Sequence, residues 1–116
     1  MGVQKQFRLR DKRDFSRVYR HGKSVANYQF VLYINRNSRI EQFRLGISAS
    51  KKIGNAVVRN RVRRLVKEII RLHPEKMTNQ HDVVVIVRKS AVEMSFEEMK
   101  KSLFHVIKKA QLQQLW

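Results

Sequence analysis

Apolar residues recur along the chain with two different periods, and those periods divide it into elements. Between residues 55 and 73 the period is helical: Val58, Val62, Leu65, Val66, Ile69 and Ile70 share one side, with Arg59, Asn60, Arg63, Arg64, Lys67 and Arg71 on the other. Asn55 stands where an N-cap is wanted, just after Gly54, and Pro74 with the polar stretch behind it stops the helix. Burying a large apolar side chain contributes about 1.5–3 kcal/mol, so the apolar side anchors this helix and leaves its cationic side facing outward.

The flanking segments are read in the same way. Residues 11–22 predict a short helix with acids in its first turn, bases in its last and Gly22 as the stop. Phe15, Val18 and Tyr19 share its face; Val18 is core, while Phe15 and Tyr19, close to basic residues, suit either core or binding. Residues 25–34 alternate as a strand, with Tyr28, Phe30, Leu32 and Ile34 on the buried face and Asn27, Gln29, Val31 and Tyr33 on the other. After a loop at 35–42, residues 43–49 repeat the alternation, with Phe43, Leu45, Ile47 and Ala49 inward. The two strands read as a hairpin that presents Val31, Tyr33, Gly46 and Ser48 as a shallow, partly polar surface. Small residues beside an aromatic suit a stacked base, and a tyrosine merely half exposed on a sheet fits the pattern equally well.

Beyond the central helix, residues 83–87 form a continuous β-branched run that suits a strand covered on both faces, closed by Arg88 and Lys89. Ser95 and Glu98 have the spacing of a capping box. Phe96, Met99, Leu103, Val106, Ile107 and Ala110 then form a helical stripe that packs on the sheet, with Lys100, Lys101, Lys108 and Lys109 in solvent. Residues 1–6 carry no pattern and read as mobile until they meet a partner; the pattern leaves Trp116 unplaced, frayed or tucked in.

Composition changes the meaning of the cationic side. Over 116 residues there are 26 Lys and Arg against 9 Asp and Glu, a formal net charge of +17, and no acid occurs from residue 42 to 67. Ordinary solvated faces mix signs, so this one predicts a polyanion, and nucleic acid is the obvious partner. The length suits one domain, residues 1–116, with a core of its own. No membrane association is expected: Gly2 is followed by Val3-Gln4-Lys5-Gln6, which lacks the hydroxyl residue of a myristoylation site, and the longest aliphatic run is far short of a span. Cysteine is absent, and a cytoplasmic location fits. His21, His73, His81 and His105 are scattered without ligand spacing, and neither a phosphate-binding loop nor a nucleophile elbow occurs. These residues describe a nucleic-acid-binding module without an active site of its own. A regulator of DNA would need a dimer interface or a helix-turn-helix, and the pattern offers neither, so no DNA partner is expected.

The run Lys51-Lys52-Ile53-Gly54-Asn55-Ala56-Val57-Val58-Arg59-Asn60-Arg61-Val62-Arg63-Arg64-Leu65 resembles the signature segment of the protein component of bacterial ribonuclease P, and the likeness extends from Arg8-Leu9, Phe15 and Val18 through Gly22 and Tyr33 to Arg88. In that family the catalyst is an RNA, aided by magnesium, and the small basic protein helps it bind precursor transfer RNA and remove the 5′ leader; no cofactor is expected on the protein. The resemblance implies an α+β single-domain sandwich of order α-β-β-β-α-β-α, with a sheet of about four strands and a left-handed β-α-β crossover. That order requires a break within residues 25–34 or near Arg39 and Ile40. It assigns Lys51, Lys52, Asn55, Arg59, Asn60, Arg61, Arg63 and Arg64 to contact with the catalytic RNA. It assigns Phe15, Tyr19, Val31, Tyr33, Ser48, Arg63 and Lys67 to a cleft for the single-stranded leader. The family often has Phe at position 19 and Arg at 67; Tyr19 keeps the ring, and Lys67 keeps the charge without the two-pronged phosphate contact. A ribosomal protein, similar in size and charge, is the competing reading.

Overall fold

Asp11, Asn55 and Ser95 each turn a side-chain oxygen back onto the first turn of a helix, and these caps set where the helices begin. Asp11 accepts from the Arg13 amide at 2.9 Å and opens α1, Lys12–His21. Asn55 accepts from the Val58 amide at 3.0 Å and opens α2, Ala56–Leu72. Ser95 accepts from the Glu98 amide while the Glu98 carboxylate accepts from the Ser95 amide, completing the expected capping box for α3, Phe96–Leu112. The computed structural model describes residues 8–116, so the mobility expected for residues 1–6 lies outside the described residues.

Among those residues, one four-stranded sheet forms from β1 (Lys23–Ala26), β2 (Phe30–Arg36), β3 (Arg44–Ser48) and β4 (His81–Val87), in spatial order β1-β2-β4-β3. β4 runs antiparallel to β2 and parallel to β3, so α2 is the crossover that carries the chain from β3 to its neighbour. The element order is the expected α-β-β-β-α-β-α in a single domain. Phe30, Leu32 and Ile34 of β2 face the same side as Val83, Val85 and Val87 of β4, where Val62, Val66 and Ile69 of α2 and Met99, Leu103 and Ile107 of α3 close the main core. On the opposite side α1 lays Val18 against Val84 and Leu9, a smaller second core.

Two strand expectations need correction. Residues 25–34 are not one strand, and of the two breaks that the resemblance allowed the one within this segment is found: the Asn27 side-chain oxygen accepts from the amides of Gln29 and Phe30 at 3.0 and 2.8 Å, and this Asx turn folds β1 back onto β2. Tyr28, assigned to the buried face, sits at the turn and is 78% exposed. Nor do β2 and β3 form a hairpin, because β4 lies between them. The surface expected of that hairpin still exists, since the β2–β4 and β4–β3 registers align Val31 with Ile86 and Ser48, and Tyr33 with Val84 and Gly46.

Smaller differences have local causes. Gly22 stops α1 in an extended conformation (φ −79°), and a Cβ there would lie 2.5 Å from the Val18 carbonyl oxygen, so close approach is what requires glycine. Lys109 is not simply solvated: its ammonium donates to the Ala26 carbonyl at 2.6 Å. Trp116 is tucked in, its ring edge-on to His81 with centroids 6.1 Å apart.

Candidate nucleic-acid interface

The face of the sheet that carries α1 is only partly covered. α1 packs Phe15 directly over Gly46, where a Cβ would come within 2.5 Å of the Phe15 ring, so the absent side chain is what seats the phenyl group. Tyr19 follows one turn later, its ring 6.4 Å from Phe15 and edge-on to Tyr33 at 5.1 Å. Tyr19 is 40% exposed and Tyr33 is half-buried against the small core of Val18 and Val84. Beyond these rings the half-buried Val31, Ile86 and Ser48 lie in register across three strands. The result is a shallow strip of sheet bordered by aromatic rings.

A cationic border runs along the β3 edge. Arg59, Arg63 and Lys67 recur at intervals of four on α2 and lie half-buried. Arg63 donates to the Ala49 carbonyl at 3.2 Å and to the Asn60 side chain at 3.4 Å, which holds its guanidinium beside the end of β3. Arg63 and Lys67 line a pocket of about 200 Å³ together with Phe15, Gly46, Arg8 and Arg10. Arg8 is brought there because its segment adds a single parallel bridge to Leu45, with the Leu9 amide on the Leu45 carbonyl at 2.8 Å.

The electrostatics of that pocket are unbalanced. Lys67 is held below the ordinary lysine value of 10.5, by burial first and then by repulsion from Arg8 and Arg63. The Nε groups of Arg8, which lines the pocket, and of Arg59, one turn before Arg63 on α2, are buried without a hydrogen-bond partner among the described residues. Converging cations with unused donors are what an anion relieves, and a phosphate supplies both the charge and the acceptor oxygens.

The remaining residues of the signature segment divide. Lys51 and Lys52 are exposed on a one-turn helix, Lys51–Ile53, anchored by buried Ile53. Asn60 and Arg64 are exposed on the first turns of α2 beside Arg59 and Arg63. Asn55 spends its side-chain oxygen on the cap and keeps its amide nitrogen as a donor at an exposed position. Arg61 stands apart: it lies on the opposite flank of α2 and donates to the carbonyls of Val92 and Met94 at 3.0 and 3.3 Å, a clamp between α2 and the segment before α3.

Several groups were not singled out from the sequence. Asp82 is fully buried, and Arg44 reaches it from β3 with Nε on Oδ1 at 2.8 Å and Nη2 on Oδ2 at 3.0 Å, while Asn37 donates to Oδ2 at 3.0 Å. Arg44 also approaches Asp14 at 3.7 Å and so ties α1 to the sheet. A lone acid immediately before an aliphatic strand was the available signal for this pair. Arg8, Arg10 and Ile86 join the interface through pairings that no local pattern encodes. Among the described residues, no three His, Cys, Asp or Glu side chains come together in a way that would hold a metal ion, and no helix is long and apolar enough to cross a membrane.

Known proteins share this chain and fold. The sequence model of the family Ribonuclease P matches residues 3–111. The ribonuclease P protein component of Macrococcus caseolyticus is 48% identical over 106 residues, which cover 91% of each chain. The solved RNase P protein of Staphylococcus aureus superposes with a TM-score of 0.85 at 44% identity, covering 90% of this chain and 95% of that one. The RNase P protein of Thermotoga maritima gives 0.81 at 34% identity, covering 88% and 96%.

Proposed function

The chain belongs to the ribonuclease P protein family, and from that premise we propose that it binds a catalytic RNA and the 5′ leader of precursor transfer RNA, assisting removal of the leader while the RNA carries out the cleavage. The observation that carries this reading is the β3-edge pocket, where the Phe15 ring meets Arg63, Lys67 and Arg8. A single-stranded leader offers bases to Phe15, Tyr19 and Tyr33 and phosphates to Arg63 and Lys67, with Val31 and Ser48 as the floor between them. Lys51, Lys52, Asn55, Arg59, Asn60 and Arg64 extend the cationic surface along the start of α2, and they are assigned to the catalytic RNA. Arg61 supports that surface from behind through its clamp on Val92 and Met94.

The protein's own contribution to the reaction is electrostatic. Two polyanions must approach, and a chain of formal charge +17 lowers the repulsion that magnesium would otherwise have to offset. The magnesium of the reaction is assigned to the RNA, whose phosphate oxygens suit a hard cation. A cytoplasmic setting follows from these partners. The competing ribosomal reading lacks support of the same kind, because the family match covers most of the chain.

Reconstitution tests the proposal. Purified protein, a bacterial ribonuclease P RNA transcript and precursor transfer RNA are combined under limiting magnesium, with each component also assayed alone. The protein is expected to leave the precursor intact by itself and to lower the magnesium that the RNA needs. Cleavage by rigorously RNA-free protein, or an RNA reaction indifferent to the protein, would sink it.

A further inference from the structure

One end of the sheet gathers three turns. β2 starts there at Phe30, opposite Val87 near the close of β4, and β3 ends there at Ser48, opposite Ile86. The turn at 27–29, the residues that follow β4 and the Lys51–Ile53 turn that follows β3 therefore lie side by side, and Ile53, Lys89 and Ser90 line one pocket together with Val92 and Glu93. Tyr28 stands at the tip of the first of these turns, 78% exposed.

An exposed ring on a loose loop would carry little meaning, but this loop is held from several directions. Besides the Asx turn closed by Asn27, the Asn27 carbonyl accepts from Arg88 Nη1 at 3.1 Å and the Tyr28 carbonyl from the Ser90 hydroxyl at 2.8 Å. The Gln29 carbonyl accepts from the Arg88 amide at 2.9 Å. Every carbonyl of the turn is thus taken, while the aromatic side chain is left outside. A rigidly mounted aromatic face loses little conformational freedom when something stacks on it. Arg88, which helps to hold it, and the neighbouring Lys89 are exposed cations, and Lys51 and Lys52 are exposed on the one-turn helix whose Ile53 lines the pocket with Lys89.

We propose that Tyr28 is a stacking platform for an unpaired base of the catalytic RNA, with Arg88, Lys89, Lys51 and Lys52 neutralising the phosphates on either side of that base. This rests on the reading of Lys51 and Lys52 as contacts to the catalytic RNA, with which the Tyr28 turn is continuous. A planar ring on a turn flanked by exposed cations matches the alternation of base and phosphate along a single strand. The interface then extends from the start of α2 around the end of the sheet.

The test measures the dissociation constant of a bacterial ribonuclease P RNA transcript, without substrate, for the wild-type protein, Tyr28→Ala and Tyr28→Phe, with a melting curve for each. Tyr28→Ala is expected to weaken binding by about 5- to 100-fold, Tyr28→Phe by no more than about twofold, because stacking needs the ring. Melting temperatures should not move, since the turn is held through its backbone and Asn27. The salt dependence should keep its slope, since the ring contributes no charge. Wild-type affinity in Tyr28→Ala overturns the proposal, as does an equal loss in both variants. A loss that appears only when a long-leader precursor is added would transfer the ring to the leader and overturn the assignment to the catalytic RNA. Failure of the wild-type protein to bind the transcript would remove the underlying reading of Lys51 and Lys52, and that outcome is distinguished by the wild-type arm alone.

Discussion

Arg44 and Asp82, 38 residues apart in sequence, meet through two parallel hydrogen bonds, with the carboxylate completely buried and the guanidinium half-buried. Asp82 raises the Arg44 pKa above its ordinary value, so the arginine stays charged at any accessible pH. Arg44→Ala would strand the Asp82 carboxylate without its cation. The expected loss is about 3 kcal/mol of unfolding free energy, the lower end for breaking a buried pair, because Arg44 keeps some solvent contact. Arg44→Lys should cost less, since it keeps the charge and loses the paired geometry. Urea unfolding measures both, and a change in Arg44→Ala below about 0.5 kcal/mol would show that the pair contributes nothing net.

Gly46 and Phe15 form a second dependent pair. A Cβ at position 46 would overlap the Phe15 ring and crowd Leu9, so Gly46→Ala should destabilise by about 1–3 kcal/mol. Adding Phe15→Leu should recover part of that loss, because the two changes share one contact. Strict additivity in a double-mutant cycle would show that the crowding is absorbed elsewhere.

Lys67 is expected to oppose folding while serving binding. Its pKa is lowered by burial and by Arg8 and Arg63, so at neutral pH the folded state bears an unfavourable charge. That penalty is fully present below the folded-state pKa and fades as pH rises through it towards 10.5, the unfolded value. Lys67→Gln should therefore raise the melting temperature slightly at pH 7 and narrow the difference from wild type near pH 10, within roughly the range where lysine titrates. The same variant should bind leader RNA less tightly and lower the salt slope by about 0.7, the loss of one phosphate contact. A melting temperature that falls at pH 7 would contradict the electrostatic account.

Tyr33 separates stacking from packing. Its ring is half-buried and braced edge-on by Tyr19, so Tyr33→Ala will cost some stability whatever its role. Stacking on a leader base would add about a 5- to 150-fold loss of affinity for long-leader precursors, almost none for precursors whose leader is too short to reach, and little in Tyr33→Phe. Equal losses on long and short leaders would reduce Tyr33 to a packing residue.

What the sequence made legible depends on range. Caps, helical stripes and the β-branched run are written within a few residues of each other, and α1, α2, α3 and the core of β4 follow from them directly. The turn at 27–29 was hidden because Tyr28, Phe30, Leu32 and Ile34 preserve alternation straight through it; Asn27 was the one contrary sign. Pairing between β2 and β3 does not follow from their adjacency in sequence, because β4, made much later, inserts between them. For the candidate site, the cationic stripe and the facing residues of the strands were readable from periodicity, whereas the places of Arg8 beside Lys67 and of Asp82 beneath Arg44 depend on registers between distant segments. Arg61 shows what a continuous motif does not reveal, since a helix turns successive residues to different sides and this one also bonds the carbonyls of Val92 and Met94.

The central position of β4 also has a consequence for how the protein comes into being. The β1–β2 hairpin and α2 are local and form on their own timescales, but among the described residues β3 has only the single Arg8–Leu45 bridge until residues 81–87 exist and have inserted between it and β2. During synthesis most of the chain, including every residue of the cationic stripe, leaves the ribosome before the sheet that organises it is able to close. A nascent chain this basic is then exposed among polyanions while still incomplete. Its folding is gated by a late, non-local step, and the last strand of the sheet to be made is the one that commits the rest.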